Sequence, residues 1–314
     1  MRMNTLQKQP VLIVVGPTAV GKTEFSLRLA EKLQAEIISA DSMQVYKGMD
    51  IGTAKAGREE QKRVKHHLID VVDPDQSFNV ANYVSLAEKV LADLKARNKT
   101  ALLTGGTGLY IDALIDGFLF PDSEADPKLR AELAAQAKKD PLSLHNRLKE
   151  VDAKSARRIH PNDHRRLVRA LEVYLRTGEP ISVLQEKKAQ EERPYNPLYI
   201  GLNRRRPELY ARINKRVDEM IALGLIEEVQ GLLQAYPEQP TALQALGYKE
   251  IAWYLQGKMS LAEAIELLKR DTRRYAKRQL SWFRRNKKIH WFNVSKISEE
   301  EILAESSRLW QAAI

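Results

Sequence analysis

The chain has 314 residues, no cysteine, and 51 Lys and Arg against 41 Asp and Glu, a formal net charge of +10. The absence of cysteine excludes disulfides, thiolate zinc sites and cysteine nucleophiles. Hydrophobic and charged fractions of 43% and 29% suit a soluble globular chain, long enough for one large core with an inserted module, and the basic balance points to a polyanionic partner, nucleic acid first. Met1 to Pro10 is short and polar, with no apolar signal core, and no run approaches a membrane span. The expected compartment is the cytoplasm, with no membrane partner, and the chain is read as a monomer.

Val11 to Val15 reads as a buried strand, five apolar and mostly β-branched residues. Gly16-Pro17-Thr18-Ala19-Val20-Gly21-Lys22-Thr23 follows and fits G-x-x-x-x-G-K-[ST], the phosphate-binding loop. Glu24 to Leu33 carries apolar residues at helical spacing, so the order is strand, loop, helix. In that setting the glycines let backbone N–H groups close on an anion, and the helix N-terminus adds positive potential. Lys22 supplies a point charge for a terminal phosphate and Thr23 a hydroxyl for Mg²⁺. Which phosphate compound binds is not written in the loop.

Glu36 to Ala40 predicts a second strand that delivers Asp41-Ser42-Met43-Gln44 at its carboxyl end, where open α/β sheets place ligand groups. Asp41 there is a metal ligand, a general base, or a helix N-cap. Lys47 to Lys55 reads as a loop over the site. Leu68 to Val72 is expected to be a third strand. The adjacent His66 and His67 point different ways on any regular element, which argues against joint metal ligation. Asn79 caps a helix to about Arg97, and Thr100 to Thr104 is a fourth strand ending in Gly105-Gly106-Thr107-Gly108-Leu109-Tyr110. That turn reads either as close backbone approach to a ligand or as an ordinary tight turn.

From Pro121 to about Pro194 no strand pattern is found. Helices are expected from Asp126-Pro127, over Leu142 to Val151 and over Asp163 to Arg176. Arg165 and Arg169 share a helix face, with Arg166 flanking. Leu198 to Leu202 resumes strand character. A helix then runs to Leu223 with Arg212 and Arg216 four apart, placed to neutralise a leaving phosphate if that face looks at the loop. Thr241 to Leu255 and Ser260 to about Arg285 read as helices, the second carrying a basic stripe. Ile289 to Val294 is the last strand, and Ser298 caps a terminal helix. The fold class is therefore α/β: a P-loop parallel-sheet core with helices on both faces (residues 1–120 and 195–314) and an inserted all-helical module (121–194).

These strings carry a resemblance. Residues 16–23, the run Asp-Ser-Met-Gln-Val-Tyr-Lys-Gly-Met-Asp-Ile-Gly-Thr-Ala-Lys at 41–55, and Gly-Gly-Thr-Gly-Leu-Tyr at 105–110 look like the tRNA dimethylallyltransferase (tRNA isopentenyltransferase) family. So do Arg-Ile-His-Pro-Asn-Asp at 158–163, Arg-Arg-Leu-Val-Arg-Ala-Leu-Glu at 165–172 and Leu-Gly-Tyr-Lys-Glu at 246–250. The chain departs from the family pattern at His164-Arg165, where many bacterial members have Pro-Gln, and at Gln244, where some have Arg.

The resemblance implies Mg²⁺-dependent transfer of a dimethylallyl group from dimethylallyl diphosphate to N6 of the adenosine 3′ of the anticodon, in tRNAs reading U-initial codons. It makes Asp41 the base, with Lys22 and Thr107 in the reacting site. Gly16, Pro17, Thr18, Ala19, Val20, Gly21, Lys22, Thr23 and Arg216 hold the diphosphate, with Thr23 on the metal. Asp41, Ser42, Met43, Gln44, Thr107, Arg130, Arg165, Arg166, Leu167, Val168 and Arg169 contact tRNA, and 121–194 grips the anticodon stem-loop. From the residues alone, a nucleotide or small-molecule kinase, a nucleic-acid-binding NTPase and an adenylate isopentenyltransferase remain the rivals.

Overall fold

A computed structural model describes residues 8–117, 126–238 and 241–314. The chain begins with β1 (Gln9–Val15), α1 (Lys22–Leu33), β2 (Ala35–Ser39), α2 (Arg58–Arg63), β3 (His66–His67), α3 (Val80–Ala96), β4 (Thr100–Gly105) and α4 (Gly108–Asp116). Five helices follow: α5 (Pro127–Lys139), α6 (Ser143–Val151), α7 (Ala153–Arg158), α8 (His164–Thr177) and α9 (Ile181–Ala189). The chain closes with β5 (Tyr195–Asn203), α10 (Arg206–Ala222), α11 (Leu225–Ala235), α12 (Tyr248–Leu255), α13 (Leu261–Phe283), β6 (Ile289–Asn293) and α14 (Glu299–Ala313). Two compact units result, residues 1–115 with 194–314, and residues 116–193. The expected boundary at Phe120-Pro121 lies outside the described residues.

The first unit holds a six-stranded sheet in the order β3-β2-β4-β1-β5-β6, every pairing parallel. Val11 to Val15 are all fully buried. Because successive strand residues face opposite ways, both sides of the sheet must be covered. Strand β1 pairs with β4 on one side and β5 on the other. The carboxyl ends of β1, β2 and β4 therefore open side by side, which is where such sheets place ligands. A second apolar cluster joins Val45, Tyr46 and Met49 to residues of α10, α11, α12 and α13, with Tyr248 fully buried in it.

The second unit is helical throughout its described residues, around Leu144, Leu148, Leu167, Leu171 and Val173. Asp126, Asp152 and Asp163 cap α5, α7 and α8 by accepting first-turn N–H bonds.

Two expectations need correction, and four helices were not foreseen. The Leu68–Val72 strand does not form: β3 is only His66–His67, because Leu68 (φ +61°) and Asp70 (φ +53°) take left-handed backbone that no strand accommodates. Val72 makes only an isolated bridge to Tyr46. The expected helix over Thr241–Leu255 is broken into a 3₁₀ turn at Thr241–Gln244 and α12, since Gly247 sits at φ +94°. Helices α2, α7, α9 and α11 do not stand out from the sequence pattern; all but α11 are shorter than ten residues.

Candidate active site

The phosphate loop leaves β1 at Val15 and enters α1 through Gly21, which takes φ +114°. Gly16 has a steric reason as well: a Cβ there would lie 2.6 Å from the Leu202 carbonyl oxygen of β5. The Lys22 ammonium folds back and donates to the Gly16 and Pro17 carbonyl oxygens, both at 2.9 Å. Val20 is buried and Ala19 nearly so, so they can meet a ligand only through backbone N–H groups. Thr23 is exposed at the mouth of the loop.

Helix α10 brings the two arginines to this loop. Arg212 Nε donates to the Ala19 carbonyl oxygen at 3.0 Å. Arg216, one turn on, is partly buried and makes no ion pair among the described residues. Burial, and then repulsion from Arg216, bring the Lys22 ammonium down to about 7, against the attraction of Asp41. Around Lys22 the repulsion from Arg216 outweighs the attraction of Asp41, so an arriving anion is favoured at this end of the cavity.

Asp41 follows β2 and fixes its own turn: Oδ1 accepts the Met43 N–H at 2.9 Å. The Ser42 N–H donates to Thr107 Oγ1 at 3.0 Å, and the Thr107 N–H to the Ala40 carbonyl oxygen at 3.1 Å. Asp41 and Thr107 thus belong to one hydrogen-bonded turn pair. The glycines between them have internal reasons. A Cβ on Gly105 would lie 2.1 Å from Ala40 O, and one on Gly106 2.1 Å from Gln279 Nε2. The close approach read from the sequence is therefore made by the protein's own chain.

Thr18, Gly21, Lys22, Thr23, Asp41, Gln44, Gly105, Gly106, Arg212 and Arg216 line one cavity of about 710 Å³. The loop over Lys47 to Lys55 forms part of its wall and is tightly stapled. Gln44 Nε2 donates to the Thr53 and Ala54 carbonyl oxygens, both at 3.3 Å. The Lys55 ammonium, almost wholly buried, bonds Tyr46 O at 2.7 Å and the Asp50 and Asp70 carboxylates at 2.6 Å. The Glu228 carboxylate accepts the N–H groups of Asp50, Ile51 and Gly52 and the Tyr248 hydroxyl. A Cβ on Gly52 would strike the Tyr248 ring at 2.5 Å. His66 lines the cavity and His67 bonds Glu36 instead, so the two imidazoles part as expected. Met43 packs into the apolar cluster beneath.

The residues expected on α5 and α8 divide into two kinds. Arg165 and Arg166 are exposed, the latter paired loosely with Asp163. Arg130 donates two bonds to Glu172, at 2.8 and 2.9 Å, and Arg169 a third at 2.6 Å. Glu172 is fully buried; burial alone would raise its carboxyl, but Arg130, the Asp126 N–H and Arg169 hold it down to about 2. Leu167 is fully buried in the helical core, which corrects its reading as an RNA contact, and Val168 packs against the same core.

The sequence does not single out Glu228, Tyr275 or Gln279. The one signal is on α13, where Tyr275 and Gln279 stand four apart on the inward face of an otherwise basic helix. No group of three or more His, Asp or Glu side chains among the described residues is placed to hold a metal, and no described helix is long and apolar enough to cross a membrane.

A parallel sheet with a phosphate loop after β1 and a carboxylate after β2, sharing a cavity with Lys22, Arg212 and Arg216, defines a P-loop protein that works on a phosphorylated ligand. The chain belongs to the IPP transferase family, whose model matches residues 44–286. A tRNA dimethylallyltransferase from Moorella thermoacetica is 52% identical over 309 residues, 96% of this chain and 95% of the relative. A tRNA delta(2)-isopentenylpyrophosphate transferase from Staphylococcus epidermidis has a crystal structure similar at TM-score 0.72 and 41% identity, over 97% of this chain and 100% of that one. Crystallographic snapshots of a eukaryotic dimethylallyltransferase acting on tRNA superpose at TM-score 0.85 and 27% identity, over 98% of this chain and 80% of that one.

Proposed function

We propose that the protein transfers the dimethylallyl group of dimethylallyl diphosphate to N6 of the adenosine 3′ of the anticodon, in tRNAs reading U-initial codons, and releases diphosphate. The observation that carries this reading is the meeting of Lys22, Arg216 and Asp41 at one phosphate-loop cavity. Family membership and the relatives' action on tRNA support it.

The chemistry suits these residues. An exocyclic purine amine is a weak nucleophile, so a carboxylate that takes its proton as the bond to carbon forms lowers the barrier. Asp41, fixed by its own Met43 N–H bond, fills that role. The allylic carbon tolerates positive charge, so the rest of the barrier lies in parting from the diphosphate. Loop N–H groups, Lys22 and Arg216 neutralise that developing charge. On arrival of the diphosphate the Lys22 ammonium exchanges its two loop carbonyls for phosphate oxygens. Mg²⁺ fits the donor set: an exposed threonine hydroxyl with no carboxylate cage suits an ion held largely by the ligand's own phosphates. Thr23 would hold it, and it would supply further charge neutralisation. The adenine must leave the anticodon stack to reach Asp41. Exposed Arg165 and Arg166 contact the RNA backbone, while Arg130 and Arg169 set the helices that carry them.

The test is incubation with Mg²⁺, dimethylallyl diphosphate and unmodified tRNA, followed by digestion and mass analysis for N6-dimethylallyladenosine. Product is expected with wild type, and an on the order of 100-fold or greater loss of kcat with Asp41→Asn while tRNA binding is kept. Product from free AMP alone, or phosphate transfer from ATP, overturns the reading.

A further inference from the structure

Helix α13 lies against both halves of the cavity through two side chains. Gln279 is buried, and its Oε1 accepts the Thr18 N–H of the phosphate loop at 2.8 Å. Its Nε2 donates to the Gly106 carbonyl oxygen at 3.1 Å. One amide therefore ties the loop after β1 to the turn after β4. The Tyr275 side chain, one helical turn earlier, lies on the same wall, with its hydroxyl beside Gly106 and close to Gln279 and Thr107. Thr107 in turn accepts the Ser42 N–H, next to Asp41. The phosphate loop is thus tied through Gln279 to the Gly106-Thr107 turn, and that turn through Thr107 to the residue after Asp41, and both α13 side chains line the cavity wall.

The packing around this run leaves little slack. A Cβ on Gly106 would displace the Gln279 amide from its place, 2.1 Å away. Removing the amide would leave the Thr18 N–H and the Gly106 carbonyl short of a partner in an enclosed place, which costs more than the bond itself contributes.

We infer that Gln279 is a positioning residue that fixes the distance between the leaving diphosphate and the base Asp41. This rests on the prenyl-transfer reading above. In-line displacement needs the amine, the allylic carbon and the leaving oxygen in register, and a misplacement of about 1 Å costs on the order of 100-fold in rate. Gln279 acts on that register without touching the reacting atoms. Its removal lowers kcat while leaving each substrate's own binding contacts in place.

The test uses the full chain with Gln279→Met, which keeps the volume and deletes both bonds, and with Tyr275→Phe, which removes only the neighbouring hydroxyl. Inorganic pyrophosphate and unmodified tRNA binding are measured by calorimetry, and kcat and KM are measured well below the melting temperature. For Gln279→Met the expected result is pyrophosphate and tRNA affinities within about threefold of wild type and kcat down roughly 30-fold or more. Tyr275→Phe shows the same pattern at smaller size. A kcat within threefold of wild type overturns the proposal. So does a loss of pyrophosphate binding that accounts for the whole defect, because Gln279 then only holds the loop's shape. Absence of prenylated product with the wild-type chain, by contrast, sinks the reading beneath.

Discussion

At the scale of single residues, the phosphate loop is governed by the charges around Lys22. Lys22 titrates near 7 because burial and Arg216 outweigh Asp41. Below that pH it meets a diphosphate already charged; above it, binding must take up a proton, so affinity falls as pH rises through 7 to 9. Pyrophosphate titrates in the same range, so the comparison is with Lys22→Met, in which the ligand's own titration is unchanged. Wild-type affinity is expected to decline with pH more steeply than the variant's, by up to about tenfold per unit, and the variant to bind more weakly at pH 7. Equal slopes would mean that Lys22 does not gain its proton on binding. The sign for stability is opposite to that of a paired lysine: the folded state binds fewer protons than the unfolded one between about 7 and 10.5, so this group's contribution makes the empty protein more stable as pH rises through that window.

At the scale of elements, helices α5 and α8 are clasped around one carboxylate. Glu172 receives two bonds from Arg130, one from Arg169 and one from the Asp126 N–H. A buried carboxylate so held stabilises the fold only while ionised, and removing it strands two arginines. Glu172→Gln should cost about 3 kcal/mol near neutral pH. The native carboxyl titrates at about 2 against an ordinary 4.5, so its contribution is complete above 4.5 and lost as pH falls from there toward 2. Denaturant titrations of the two proteins should therefore converge in acid. A gap that stayed constant from pH 7 to pH 3 would show that Glu172 is not ionised by virtue of this network. The loop over Lys47 to Lys55 is held in the same fashion, by Glu228 collecting three successive N–H groups.

At the scale of the molecule, a net charge of +10 acts on a polyanion only where it is exposed. Exposed cations cluster at the start of α8, with Arg165 and Arg166, and along and just beyond α13, with Arg274, Lys277, Arg278 and Arg284. Helix α13 thus turns Tyr275 and Gln279 to the cavity and its cations to solvent. Each phosphate contact contributes to the salt dependence of RNA binding. Arg165→Ala should lower tRNA affinity and reduce the slope of log K against log salt by about 1, whereas pyrophosphate affinity stays as in wild type. An unchanged slope would remove α8 from the RNA interface.

The phosphate loop, Asp41, the Gly105–Thr107 turn and the split into a sheet unit and a helical unit were all legible in the sequence, because each is a local pattern: glycines at fixed spacing, apolar runs of strand length, helical periodicity. The strand at Leu68–Val72 misread because two left-handed residues inside an apolar run leave no mark in composition. The arginines looked alike on paper. Only packing joined Arg130 and Arg169 to Glu172, left Arg165 exposed without such a partner among the described residues, and buried Leu167 in the helical core. Arg216 near Lys22, Glu228 under a loop about 178 positions earlier, and Gln279 on the Thr18 N–H across 261 positions were likewise decided by tertiary structure alone. The physical reason is that spacing along the chain specifies which groups a helix or strand presents. Which distant group they meet depends on how the sheet orders its strands and which helix covers them.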